Sequence, residues 1–294
     1  MDRLPGLQIG RRAALAAMGG GVLSSLAGCS LFKFGWDSFS EVDSKPGDSA
    51  RPHTMPRPQD AIGLDIVHVE RCVGDPLIGE ALWSEVEQVG AIKPEVRAAL
   101  RRAEFRVGHV GSAPPRALQQ VLGLKSSLVD HQLGDQSHLL TGHRVTIRSG
   151  ASTDIQTSDL SPHCSLLIED REATRRVEFE NARCQFRVTV RRQQDGWVTL
   201  EFLPEIHHGN HQLRRVATES GFGLRSTQEV ESLYPQQFSI TLNLGEMAVL
   251  GAGEGDADSL GQHFFHGQRG NEKIQRVIIV RLADMKKVQP LYVE

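Results

Sequence analysis

Aromatic residues are scarce in this sequence: Phe, Trp and Tyr together make up 5% of 294 residues. That leaves too few rings for a base-stacking platform. A net charge of -3 also leaves no excess of cations to displace counterions, so a general affinity for nucleic acid is set aside. Catalytic signatures are missing as well. No G-x-S-x-G elbow occurs, no H-E-x-x-H helix, and no glycine loop closed by Gly-Lys-Ser or Gly-Lys-Thr. The reading is therefore non-enzymatic, with no cofactor. What is present is a hydrophobic content of 39%, enough for an ordinary folded core.

The first thirty residues carry an address. Arg11 and Arg12 precede an apolar run from Ala13 to Ala27, interrupted by Gly19, Gly20 and Gly21. At about fifteen residues it is short for a membrane span and right for a signal-peptide core. It ends in Leu26-Ala27-Gly28-Cys29, which resembles the bacterial lipobox; the resemblance implies cleavage before Cys29 and acylation of its thiol. Arg11 and Arg12 resemble a twin-arginine export signal, with Sec export as the alternative. Ser30 and Leu31 follow, with no aspartate as an inner-membrane retention mark, which favours an outer-membrane address facing the periplasm. Residues 30–60 are polar and broken by Pro46, Pro52, Pro56 and Pro58, and read as a flexible tether.

Regular structure is expected from Leu64 onward. A strand at Leu64–Val69, helices near 79–89 and from Pro94, a strand at Phe105–Val110 and a helix after Pro115 make a small β-α-α-β-α domain over 61–125. After Gly123 helices are not expected. Short alternating segments across 126–294 predict a β-rich domain, a sandwich or partly closed barrel, giving an α+β chain. The clearest unit runs from Arg183 to Gly209. Phe186, Val188 and Val190 alternate with polar residues, as do Val198, Leu200 and Phe202, across an Asp195-Gly196 turn. Pro204 reads as the end of the second strand, with Glu201 and Glu205 on a wet face. Residues 253–271 read as a surface loop.

Histidine offers weak metal-ligand candidates: His207, His208, His211 and His263. His207 and His208, adjacent in a strand, would point to opposite faces, so metal is not the expectation. Cys164 and Cys184 could pair, but buried free thiols are the expectation.

In order, LDIVHVE, Asp75-Pro76, Leu82-Trp83, FRVGHVG, LEFLPEIHHG and the closing QRVIIVRL resemble a family of planctomycete-type envelope lipoproteins of undetermined function. The C-terminal part is similar to the β-domain of secretins, the ring-forming outer-membrane channels. The hairpin from Asp195 to Glu205 and the strand from Leu244 to Gly251 carry that likeness, whereas Ala252 and Ala283-Asp284 depart from it. The resemblance implies a lipid-anchored module that binds an envelope protein partner or itself and touches the membrane through Cys29. A secretin-like channel subunit is one alternative and a metal-dependent periplasmic enzyme another.

Overall fold

In the computed structural model, the described residues are 59–86, 90, 92–124, 138–169, 174–218, 221–253, 255 and 258–288. The signal segment with Arg11, Arg12, Leu26, Ala27, Gly28 and Cys29, and nearly all of the tether, lie outside them.

The strands are β1 (Gln59–Cys72), β2 (Phe105–Val110), β3 (His138–Arg148), β4 (Ser152–Gln156), β5 (Ser161–Glu169), β6 (Thr174–Gln194), β7 (Trp197–Thr218), β8 (Gly221–Ser232), β9 (Phe238–Asn243), β10 (Met247–Ala252), β11 (His266–Arg269) and β12 (Glu272–Val288). Among the described residues four α-helices accompany them: α1 (Glu80–Glu85), α2 (Pro94–Arg102), α3 (Arg116–Val121) and α4 (Leu260–Phe265). The fold is mostly β and includes a curled, half-barrel sheet.

One sheet has the order β2-β10-β12-β1-β3, with β11 added to β12; the other has β4-β6-β7-β8, with β5 on β6 and β9 on β7. The expected small sheet of β1 with β2 therefore does not form on its own. β10 and β12, from the last fifty residues, lie between those two strands. The reason is burial on both faces. Ala248, Leu250, Ile278 and Val280 face the second sheet, while Met247, Val249, Val277 and Ile279 pack under α1 and α3 with Leu82, Trp83 and Leu118. A strand apolar on both sides belongs in the middle of a sheet. Gly251 belongs to this contact, since a Cβ there would stand 2.8 Å from the Trp83 ring.

Residues 253–271 differ from the surface loop expected. Ser259 caps α4 by accepting from the Gln262 N–H, and Leu260, Phe264 and Phe265 enter the core. Phe264 meets Phe105 edge-on at 5.1 Å and Phe186 at 5.3 Å, so α4 fills the space between the sheets. The signal was legible as Ser259 followed by apolar residues at helical spacing, but the surrounding glycines, aspartates and histidines masked it.

Candidate functional site

The central hairpin forms as its alternation predicts. Phe186, Val188, Val190, Val198, Leu200 and Phe202 are all buried, and Gly196 makes the turn at φ 83°. Pro204 does not end the strand. It sits where the outer neighbour of β7 changes from β9, which stops opposite Phe202, to β8, which starts opposite Glu205. The missing N–H therefore falls at a gap in the ladder, while the Pro204 carbonyl accepts from Leu233 N–H.

Beyond Pro204 the two long strands part. Their pairing ends at Arg183 opposite His207. On β6, Asn181 takes φ 49° and the chain bends; on β7, Gly209 takes φ 75°. These left-handed residues turn each strand out of the common sheet. The side chain of Gln228, almost fully buried, fills the fork by donating to the carbonyls of Asn181 (3.0 Å) and Gly209 (2.9 Å).

Each strand then continues with one partner. Residues 174–182 of β6 pair with β5, and that hairpin lies on the body: Leu166, Ile168 and Phe179 join the core, and Leu167 N–H donates to the Asp258 carbonyl. Residues 208–218 of β7 pair with β8. Asn210, His211, Gln212 and Leu213 are exposed in succession, Leu213 to 72%, so both faces of β7 stand in solvent where it leaves the fork. Among the described residues no other strand covers its edges. That is the candidate functional site: a two-stranded arm with open backbone edges.

Its root is held by charge. Glu205, fully buried, accepts from His207 Nε2 at 3.1 Å and pairs with Arg187 at 3.1 Å, with the Ser232 hydroxyl at 3.5 Å. The expectation that Glu205 is merely wet is thus corrected: β8 closes over it once β7 runs past Pro204. Glu201 remains at the surface with Arg191 at 3.3 Å.

The candidate histidines are not brought together. His207 binds Glu205, while His208, on the opposite face, packs against the Phe179 ring at 4.6 Å. His211 is exposed on the arm, and His263 is on α4 beside the Ser165 backbone, where burial lowers its pKa. Among the described residues no group of three His, Cys, Asp or Glu is placed to hold a metal ion. Cys72, Cys164 and Cys184 are free thiols, and burial pushes the Cys184 thiol up to about 12, which makes it unreactive. No described helix is long and apolar enough to cross a membrane.

No protein-family model matches the chain, and no curated protein matches it. Solved structures that it is similar to include the type IV competence pilus secretin PilQ of V. cholerae, at 12% identity and TM-score 0.25 over 80% of this chain and 62% of that one. Another is the InvG secretin-domain β-barrel of the Salmonella SPI-1 injectisome, at 10% identity and TM-score 0.19 over 81% and 65%. A third is the Klebsiella pneumoniae type II secretion system outer membrane complex of PulD, PulS and PulC, at 11% identity and TM-score 0.24 over 81% and 41%. The chain spans less than two thirds of each of those chains, and the TM-scores are too low for a shared whole-chain fold.

Proposed function

We propose that this protein is a non-enzymatic interaction module of the bacterial cell envelope, held to a membrane by an acylated Cys29 and joined to other proteins through strand edges. The observation that carries it is the arm formed by residues 208–218 and β8, exposed from Asn210 to Leu213 and open at both edges among the described residues. An open edge adds to a neighbouring sheet through main-chain hydrogen bonds. The order Arg11-Arg12, apolar run, Leu26-Ala27-Gly28-Cys29 supports the anchor, and the tether would let the folded part stand on the order of 30 Å from the bilayer. Ser30 and Leu31 after the cysteine favour the outer membrane, facing the periplasm.

The length of the arm favours one second reading, a secretin-like subunit of an outer-membrane channel. A membrane-crossing strand needs about nine to eleven residues, and β7 beyond the fork and β8 are each of that order. One arm cannot close a barrel; a ring of copies could, each contributing two strands.

The deciding experiment is the native mass of the full-length protein extracted from membranes in mild detergent, beside the fractionation of Cys29→Ala exported on a cleavable signal. A monomer or small oligomer in the membrane fraction, released by Cys29→Ala, is the expected result. A ring of many subunits would replace the main reading with the second. Membrane retention of a Cys29→Ala monomer would overturn the anchor.

A further inference from the structure

A second open edge lies on the other sheet, away from the arm. β2 pairs with β10 and with no other strand among the described residues. A connection of only two residues, Ala103 and Glu104, joins α2 to β2, so the helix runs back beside the strand. Beside them lies a groove in two parts that meet at Ile92. One, of about 770 Å³, runs from Lys93, Val96 and His109 to Glu201, Ser239 and Thr241 of the second sheet; the other, of about 310 Å³, is lined by Arg97, Arg101, Phe105 and Val107.

The helical wall is basic in a regular way. Lys93, Arg97 and Arg101 follow one another at intervals of four, a single stripe along α2. Like charges at that spacing destabilise a helix. Lys93 also stands at the N-cap, where it adds a cation to the positive end of the helix dipole. Lys93 and Arg101, at the two ends of the stripe, stand exposed along the groove. Two carboxylates already line it: Glu201, engaged by Arg191 and Gln237, and Glu104.

Spacing selects the form of those anions. Residues four apart on a helix advance by about 6 Å, and alternate residues on a strand by about 6.6 Å. A strand beside β2 would therefore present every second side chain to successive cations of the stripe, while its backbone takes the hydrogen bonds of the open edge. We infer that this groove takes an extended acidic segment of a partner protein, paired main chain to main chain with β2 and carrying carboxylates at alternate positions toward Lys93, Arg97 and Arg101. Free inorganic anions would meet the charge but not the edge, and an apolar strand would meet the edge but not the charge.

The test uses the full-length protein in detergent and a fluorescein-labelled peptide of sequence Thr-Glu-Val-Glu-Val-Glu-Thr, capped at both ends, followed by anisotropy. The expected result is saturable binding that weakens with salt, and at least tenfold weaker binding of the peptide with Lys in place of Glu. Binding should fall at least tenfold in Lys93→Glu/Arg101→Glu, both exposed positions, and by an intermediate amount in Lys93→Gln/Arg101→Gln. Amide exchange at Phe105–Val110 should slow when the peptide is bound. No binding at millimolar peptide, equal binding of the Lys peptide, equal binding of a peptide with its glutamates adjacent, or unchanged exchange at β2 would each overturn the inference. So would full competition by excess unlabelled protein, which would assign the groove to a second copy instead. A monomer that binds the peptide and a ring that does not are distinguishable from either outcome for the arm.

Discussion

The hairpin of β5 with the start of β6 and the hairpin of β8 with the end of β7 leave the same fork, yet one folds onto the body and the other stands clear. Their side chains account for it. Leu166, Ile168 and Phe179 fall on one face of the first and reach the core, whereas Asn210, His211 and Gln212, where the second leaves the fork, are polar and exposed. A strand pair that leaves the body with polar residues on both faces is not drawn back onto it, and its edges stay available.

The same substitution in the two hairpins should separate them most. Leu166→Ala, at a fully buried site, is expected to cost about 2–5 kcal/mol in urea unfolding. Leu213→Ala, on the arm, belongs at the other end of the scale and should stay within about 0.5 kcal/mol. Equal losses would mean that the arm, too, is packed. Next in size is the root. Arg187→Ala leaves the buried Glu205 carboxylate with only its hydrogen bonds to His207 and Ser232; because Arg187 is itself half exposed, the loss should be about 2 kcal/mol, and less in Glu205→Gln. A smaller effect is expected at the bend. Gly209 has open space where a Cβ would go, so Gly209→Ala should cost only its backbone strain, about 1 kcal/mol, and should alter the arm's direction more than the body's stability. Amide exchange along β7 on either side of residue 209 would read that difference.

Acid should act on the body and spare the arm. Burial holds His68, His263 and His266 below the ordinary histidine value; His143 and Arg276 add to the effect at His68. A histidine with a lowered folded pKa favours the native state fully above pH 6.5, and that contribution is lost as pH falls through the lowered value. Unfolding midpoints should therefore drop between neutral pH and about pH 5, with His68→Gln and His263→Gln each flattening the decline. A pH-independent midpoint would show that these rings titrate as if in water.

Alternation made the central hairpin readable: Phe186 to Val190 and Val198 to Phe202 each present one apolar face whatever surrounds them, and Asp195-Gly196 is a turn by local geometry alone. The apolar strand Val277 to Val280 was readable as a strand, but not as the one lying between β10 and β1, because pairing partners two hundred residues apart leave no trace in local pattern. The same limit hid α4. Its helical spacing is short, and only the gap between the sheets that Phe264 and Phe265 fill makes the helix worth forming.

The proposed address at the start of the chain rests on local chemistry alone, where basic residues, an apolar run and a small-residue cysteine site follow one another. Tertiary structure decided the rest. Pro204 argued locally for a strand end, but the gap between β9 and β8 accepts it and lets β7 run on. Glu205, polar and adjacent to that proline, became a buried anchor only because β8 returned over it. Whether a strand edge is open depends on which strands fail to reach it, and that is a property of the whole sheet.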